Sequence, residues 1–328
     1  MPVLIVFGVA LALFVLRDAI RTTINLSEKT GPIASLVLRG GRRVAQVLPR
    51  RLTRTAGLAI TVAVVLSWTL GLWIAWTIAL SDPATGVVVS GQDRPLGLLD
   101  TFYVAGFSIF TLGTGDLEVT NTTGRLVTVF AAGTGLFTVT LEVTYLLSLT
   151  SAAAHERSTA RQTYALGHDA AQIVARSFDG HTFRQVEPLL QQLARDLSTL
   201  AEQHRTFPVL HDVLPSTRAL ALGPSLLALS DAVDAMHFAV PEECAINRLT
   251  YQQLTESIDG VLAGLPPGSD PPAPPDPPAA TEMLQRAGCH QARPVPDNEA
   301  IAKRRRGLYG LAAEEGWRGA ADEAINLG

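Results

Sequence analysis

Long uncharged runs dominate the first half of this chain. Residues 3–16 carry no charge, and the run reaches residue 20 if Arg17 and Asp18 sit at an interface. Residues 56–80 are 25 positions without a charge, and residues 126–150 are 25 positions whose one charge is Glu142. A helix needs about 20 apolar residues to cross the hydrocarbon layer. The second and third runs therefore read as spans. The first reads as a short span or anchor, or as a cleaved or interfacial segment. A signal peptide places basic residues before its apolar core, and only Met1 and Pro2 precede this one.

The pattern changes in the second half. Apolar residues recur at 186, 189, 190, 193, 197 and 200, which is one face of a helix. Tyr251, Leu254, Ile258, Val261 and Leu262 repeat it, while Pro208, Pro215 and Pro224 punctuate the sequence between helices. No run of alternating strands is present. The predicted fold is an all-α membrane protein with a helical domain after its spans.

Composition agrees. Of 328 residues, 47% are hydrophobic and 17% charged, too apolar for a disordered or nucleic-acid-coating chain. The net charge of -4 is unevenly distributed: residues 1–155 are net +3 and residues 156–328 net -7. Residues 17–55 hold nine basic residues against Asp18 and Glu28. The positive-inside rule puts that segment in the cytoplasm. Residues 56–80 then run outward, 81–125 face outside, and 126–150 return. This makes a multi-pass plasma-membrane protein with a cytoplasmic C-terminal half. Cys244 and Cys289 fit free thiols in a reducing compartment. The seven histidines lack metal-site spacing. No nucleotide-binding glycine motif, P-loop, kinase set or hydrolase elbow occurs, so neither a cofactor nor an enzyme activity is expected. No span repeats arginine every third position, so voltage sensing is not expected either.

The segment between the two long runs carries the functional signal. From Leu98 it is apolar for about 13 residues, too short to span and too apolar for a free loop, as in a re-entrant helix. It ends in Thr111-Leu112-Gly113-Thr114-Gly115-Asp116. Glycine permits backbone conformations closed to other residues. Non-helical backbone at membrane depth is tolerated where it is buried or lines a watery cavity. The combination suggests a pore lined by backbone carbonyls. The competing reading is an extracellular turn rich in Gly and Asp, which leaves the apolar run unexplained.

This arrangement resembles the pore module of potassium channels: outer helix, re-entrant pore helix, filter, inner helix. The family filter reads Thr-Val-Gly-Tyr-Gly-Asp. This chain keeps Thr111, Gly113, Gly115 and Asp116, with Leu112 for the Val and Thr114 for the Tyr. Phe102-Tyr103, Ser108, Gly124-Arg125-Leu126, Gly133, Gly135 and Tyr145-Leu146 add to the likeness, which covers residues 56–150. The resemblance implies a homotetramer, since one strand supplies one quarter of a ring. Potassium would be the transported ion, held by the carbonyls of Thr111, Leu112, Gly113 and Thr114. Asp116 would sit at the outer mouth. Thr114 lacks the aromatic ring that packs behind the family's filter, which leaves a non-selective cation channel as an alternative. A non-conducting sensor or scaffold that uses the module for assembly is another.

Gly133 and Gly135 permit bending or close packing in the inner helix, and Gly135 stands where the family has a hinge. Glu142, seven residues on, falls on nearly the same face. It is expected to face the pore with Gly135, or else to pair with an arginine of segment 39–54 or reach water.

The predicted organisation is thus an N-terminal membrane helix or anchor (1–20), a basic segment (21–55), the pore module (56–150), a helical domain (151–264), a stiff Pro-rich linker (265–280) and a tail (281–328). Lys303-Arg304-Arg305-Arg306 in the tail is either a solvated run or a contact for anionic lipid headgroups. Membrane lipids and further copies of the chain are the expected partners. The sequence identifies no regulatory ligand.

Overall fold

The computed structural model describes residues 2–24, 30–47, 56–89, 92–95, 97–113, 117–212, 214–265 and 273–317. The chain divides into two compact units, Met1–Leu149 and Thr150–Gly328.

In the first unit, α1 (Val3–Ile24), α3 (Ala56–Leu80) and α5 (Thr122–Leu166) are long and apolar enough to cross a membrane. The 22 residues of α1 give roughly 33 Å at 1.5 Å per residue, a full span's length. Small residues let α1 lie close on α3: a Cβ on Gly8 would come within 2.5 Å of the Ala75 carbonyl, and Ala12, Ala19, Ala75 and Ala79 are buried. Such residues allow the close backbone approach on which helix packing in lipid depends.

Two aspartates pin the ends of α1. Asp82 accepts the Leu4 amide at 3.0 Å and caps the 3-10 turn Pro83–Thr85 through the Ala84 amide at 3.0 Å. Asp18, 1% exposed, accepts the Trp68 indole N–H at 2.8 Å. It also accepts the Ile33 and Ala34 amides at 2.7 and 3.2 Å, at the start of α2 (Pro32–Val47). A carboxylate at a helix N-terminus satisfies orphan N–H groups and complements the helix dipole. Asp18 therefore joins three helices.

Short strands β1 (Val87–Val89), β2 (Gln92–Pro95) and β3 (Leu117–Val119) form an antiparallel sheet in the order β2-β1-β3. It was not expected from the sequence, because strands of three or four residues show no usable alternation. Its register matters: Val89 pairs with Leu117. The stretch between them contains α4 (Leu98–Ile109), whose 12 residues are too few to span. The excursion leaves from β2 and returns on β3, the two outer strands flanking β1, so one small sheet holds both its ends.

The second unit is helical: α6 (Ala170–Ser177), α7 (Glu187–Thr206), α8 (Leu222–Phe238), α9 (Arg248–Gly264), α10 (Ala280–Arg286) and α11 (Glu299–Glu314). Its core centres on α8, where Leu226, Leu229, Val233 and Met236 are buried. Of the predicted stripe at α7, Val186, Leu190, Leu193, Leu197 and Leu200 are buried while Leu189 is exposed, and that of α9 is buried as Tyr251, Leu254, Ile258 and Val261. Pro208 opens the 3-10 turn Pro208–Asp212. Pro224 instead lies in the first turn of α8, where its missing N–H would be unpaired anyway.

The tail differs from expectation. Within Lys303-Arg304-Arg305-Arg306, the middle two side chains are buried. The Arg305 Nε donates to Asp231 at 2.9 Å, and the Arg304 Nε to Asp259 at 3.2 Å with Asp234 at 3.7 Å. The run is half internal. It packs α11 onto α8 and α9, because two guanidiniums meet three acidic partners contributed from 45 to 74 residues away.

Candidate pore-loop site

α4 begins with the Asp100 carboxylate accepting the Gly97 amide at 3.1 Å. Trp73 of α3 meets it at several points. The Trp73 indole N–H donates to the Phe102 carbonyl at 2.7 Å. Its ring stacks on Phe102 at 4.4 Å and meets Phe110 edge-on at 5.8 Å. Gly106 makes this possible, since a Cβ there would lie 2.5 Å from the Trp73 ring.

The helix then stops abruptly. The Thr111 amide donates to Ser108 O at 3.0 Å and the Leu112 amide to Phe107 O at 2.9 Å. Thr111 has φ 55° and Gly113 φ 75°. A β-branched residue in the left-handed region is strained, by about 1–3 kcal/mol. Thr111, Leu112 and Gly113 are exposed. The remaining predicted filter residues, Thr114, Gly115 and Asp116, lie outside the described residues.

The inner helix α5 presents its predicted residues differently from expectation. Gly135 lies on the Ile109 carbonyl at the end of α4, with no room for a Cβ. The absence of a side chain at Gly135 lets α5 pack closely on the end of α4. Gly133 faces open space. Glu142 does share the face of Gly135, but that face turns toward α3. Glu142 is 7% exposed and accepts the Thr69 hydroxyl at 2.6 Å. Nearby, the Trp76 indole N–H donates to the Thr134 hydroxyl at 2.9 Å, and Trp68 meets Tyr145 edge-on at 5.9 Å. The α3–α5 contact is thus a ladder of polar and aromatic pairs. Within this chain the Glu142 carboxyl is packed against Thr69 of α3. On the other side of α5, Leu126, Val129, Phe130, Leu136, Phe137, Val143 and Leu147 are exposed.

Trp73 and Asp18 were not singled out in the sequence. Asp18 had a usable signal, because an ionisable residue beside an apolar run is as noteworthy as Glu142 inside one. Trp73 had none, since a tryptophan in a span is ordinary. Among the described residues, no three His, Cys, Asp or Glu side chains are grouped to hold a metal ion.

The chain is similar to the uncharacterized membrane protein YdjJ of Bacillus subtilis (strain 168), with 28% identity over 293 residues, covering 87% of this chain and 84% of that one. A match of that extent reaches into both units. No family model matches the sequence. No solved structure matches it. The apolar helices and this likeness agree on a predominantly helical membrane protein.

Proposed function

We propose that this protein is a passive cation channel, with potassium as the transported ion, built from four copies around one axis. The reading rests chiefly on the excursion between β2 and β3: pairing of Val89 with Leu117 returns the chain to the sheet it left, with a helix too short to span in between. That helix ends in left-handed backbone at Thr111 and Gly113, leading into the rest of the Gly-x-Gly segment. In this reading the carbonyls of Thr111, Leu112, Gly113 and Thr114 replace the ion's hydration shell, and Asp116 concentrates cations at the outer mouth. Copies of α5 cover one another's exposed apolar faces. The membrane is the plasma membrane, and the C-terminal unit lies in the cytoplasm.

Thr114 favours a second reading within the class, a channel that also passes sodium, because no aromatic ring braces the filter from behind. A non-conducting assembly scaffold would use the same exposed face of α5 without flux.

One recording separates the three. Purified protein is reconstituted in liposomes with potassium on one side and sodium on the other, with Gly113→Ala as the control. A reversal potential near the potassium equilibrium value, lost in the control, supports the selective channel. A potential near zero with robust current supports the non-selective one. No current in protein that assembles as a tetramer supports the scaffold.

A further inference from the structure

Two arginines in the last turns of α1 have no role in the contacts described so far. Phe14, Arg17, Asp18 and Arg21 stand at positions i, i+3, i+4 and i+7 of one helix face. With Pro32, the first residue of α2, they line a cavity of about 160 Å³. Arg17 is exposed and Arg21 half-buried. Among the described residues, neither guanidinium has a hydrogen-bond or ion-pair partner.

Asp18 does not neutralise them. Its two oxygens are taken by the Ile33 and Ala34 amides and by the Trp68 indole N–H. The cavity therefore presents two cations beside one carboxylate that is already engaged from behind.

The depth of the two arginines favours an anion. Asp82 holds the Leu4 amide and so marks the polar end of α1. At 1.5 Å per residue, Arg17 lies roughly 21 Å along the helix from Val3, and Arg21 roughly 27 Å. The hydrocarbon layer is about 30 Å thick. Leu13, Phe14, Ile20 and Ile24 are exposed around them, as on a helix face turned to lipid. An arginine at that depth is costly unless its head snorkels to the interface or an anion is drawn inward to meet it.

We propose that this cavity binds the phosphodiester headgroup of an anionic glycerophospholipid, with Arg17 and Arg21 on the phosphate and an acyl chain against Phe14. Residues four apart on a helix are neighbours, so both guanidiniums reach one phosphate. Basic pockets beside membrane helices take anionic headgroups in this way. A zwitterionic headgroup fits less well, because its own cation faces the same two arginines. A free phosphate ion matches the charge but leaves the hydrocarbon of Phe14 and Pro32 uncovered. The proposal rests on α1 lying in the membrane and not on ion conduction. The site is also outside residues 56–150, to which the potassium-channel likeness is confined.

The test is native mass spectrometry of the full-length protein in detergent, titrated with phosphatidylglycerol or with phosphatidylcholine of the same acyl chains. Wild type is expected to bind phosphatidylglycerol roughly thirtyfold more tightly, about fivefold for each arginine. Arg17→Gln, which alters an exposed side chain, is expected to lower that ratio about fivefold. Arg17→Gln/Arg21→Gln is expected to bring it close to one. Arg39→Gln/Arg43→Gln, on the exposed side of α2, is expected to keep the wild-type ratio. Inorganic phosphate is expected not to displace the lipid. Equal affinity of wild type for the two lipids overturns the proposal, whether or not the double variant folds. So does a ratio that survives in Arg17→Gln, a ratio lost in Arg39→Gln/Arg43→Gln, or displacement by inorganic phosphate.

Discussion

Thr69 and Glu142 face each other across the α3–α5 contact, hydroxyl to carboxylate, at 2.6 Å. This pairing assigns Glu142 to the packing of its own chain. Glu142→Gln keeps an acceptor for Thr69, so conductance for cations entering from the inner side is expected to be unchanged. Glu142→Leu removes the acceptor and is expected to lower stability by about 1–2 kcal/mol. Reversal potentials and thermal unfolding in detergent check the pair of outcomes. A conductance that drops in Glu142→Gln would return the carboxylate to the ion path.

Gly133 and Gly135 are two residues apart and predict opposite results. Gly135→Ala forces a methyl group onto the Ile109 carbonyl, and overpacking of that kind costs about 1–3 kcal/mol. Gly133→Ala meets nothing within the chain and should leave the unfolding midpoint of the monomeric unit unchanged. If Gly133→Ala nevertheless weakens the tetramer on native gels, the face it occupies is a contact between copies.

Asp18→Ala leaves the Trp68 indole and the first amides of α2 without an acceptor. Leaving buried donors unpaired costs about 1–3 kcal/mol each, so the variant is expected to express poorly or to melt well below wild type. Asp18→Asn retains one acceptor oxygen and should fall between the two. Yield and melting temperature in detergent are the readouts.

The basic run of the tail should respond unevenly to substitution. Arg305→Ala strands Asp231 in the core, a loss of about 3–5 kcal/mol. Arg306→Ala removes an exposed charge and should stay within about 0.5 kcal/mol of wild type. Chemical denaturation of the full chain distinguishes them. Equal, small effects would mean that the run is solvated after all.

The spans, the short apolar α4 and the buried stripes of α7 and α9 were legible in the sequence because each depends on local period and length. The sharing of one face by Gly135 and Glu142 was legible for the same reason. Which way that face points was not, since helical period fixes the angle between two residues but not the neighbour they meet. The ion pairs of Arg304 and Arg305 were hidden in a similar way. A run of four basic residues reads the same whether it meets water or Asp231, Asp234 and Asp259, and those partners are remote in sequence. The sheet escaped because its strands are too short to carry a pattern. For the site, the sequence identified Thr111 and Gly113 at the end of a short helix, but not Trp73, which positions that helix.

The pairing of Val89 with Leu117 also bears on biogenesis. Both ends of the α4 excursion are held by one small sheet, and its 12 residues are too few to be threaded through a bilayer as a span is. Docking of Phe102 and Gly106 on Trp73 is thus a contact separable from insertion of the spans. A defect at Trp73 is expected to yield chains whose spans are inserted but whose α4 is not docked on α3.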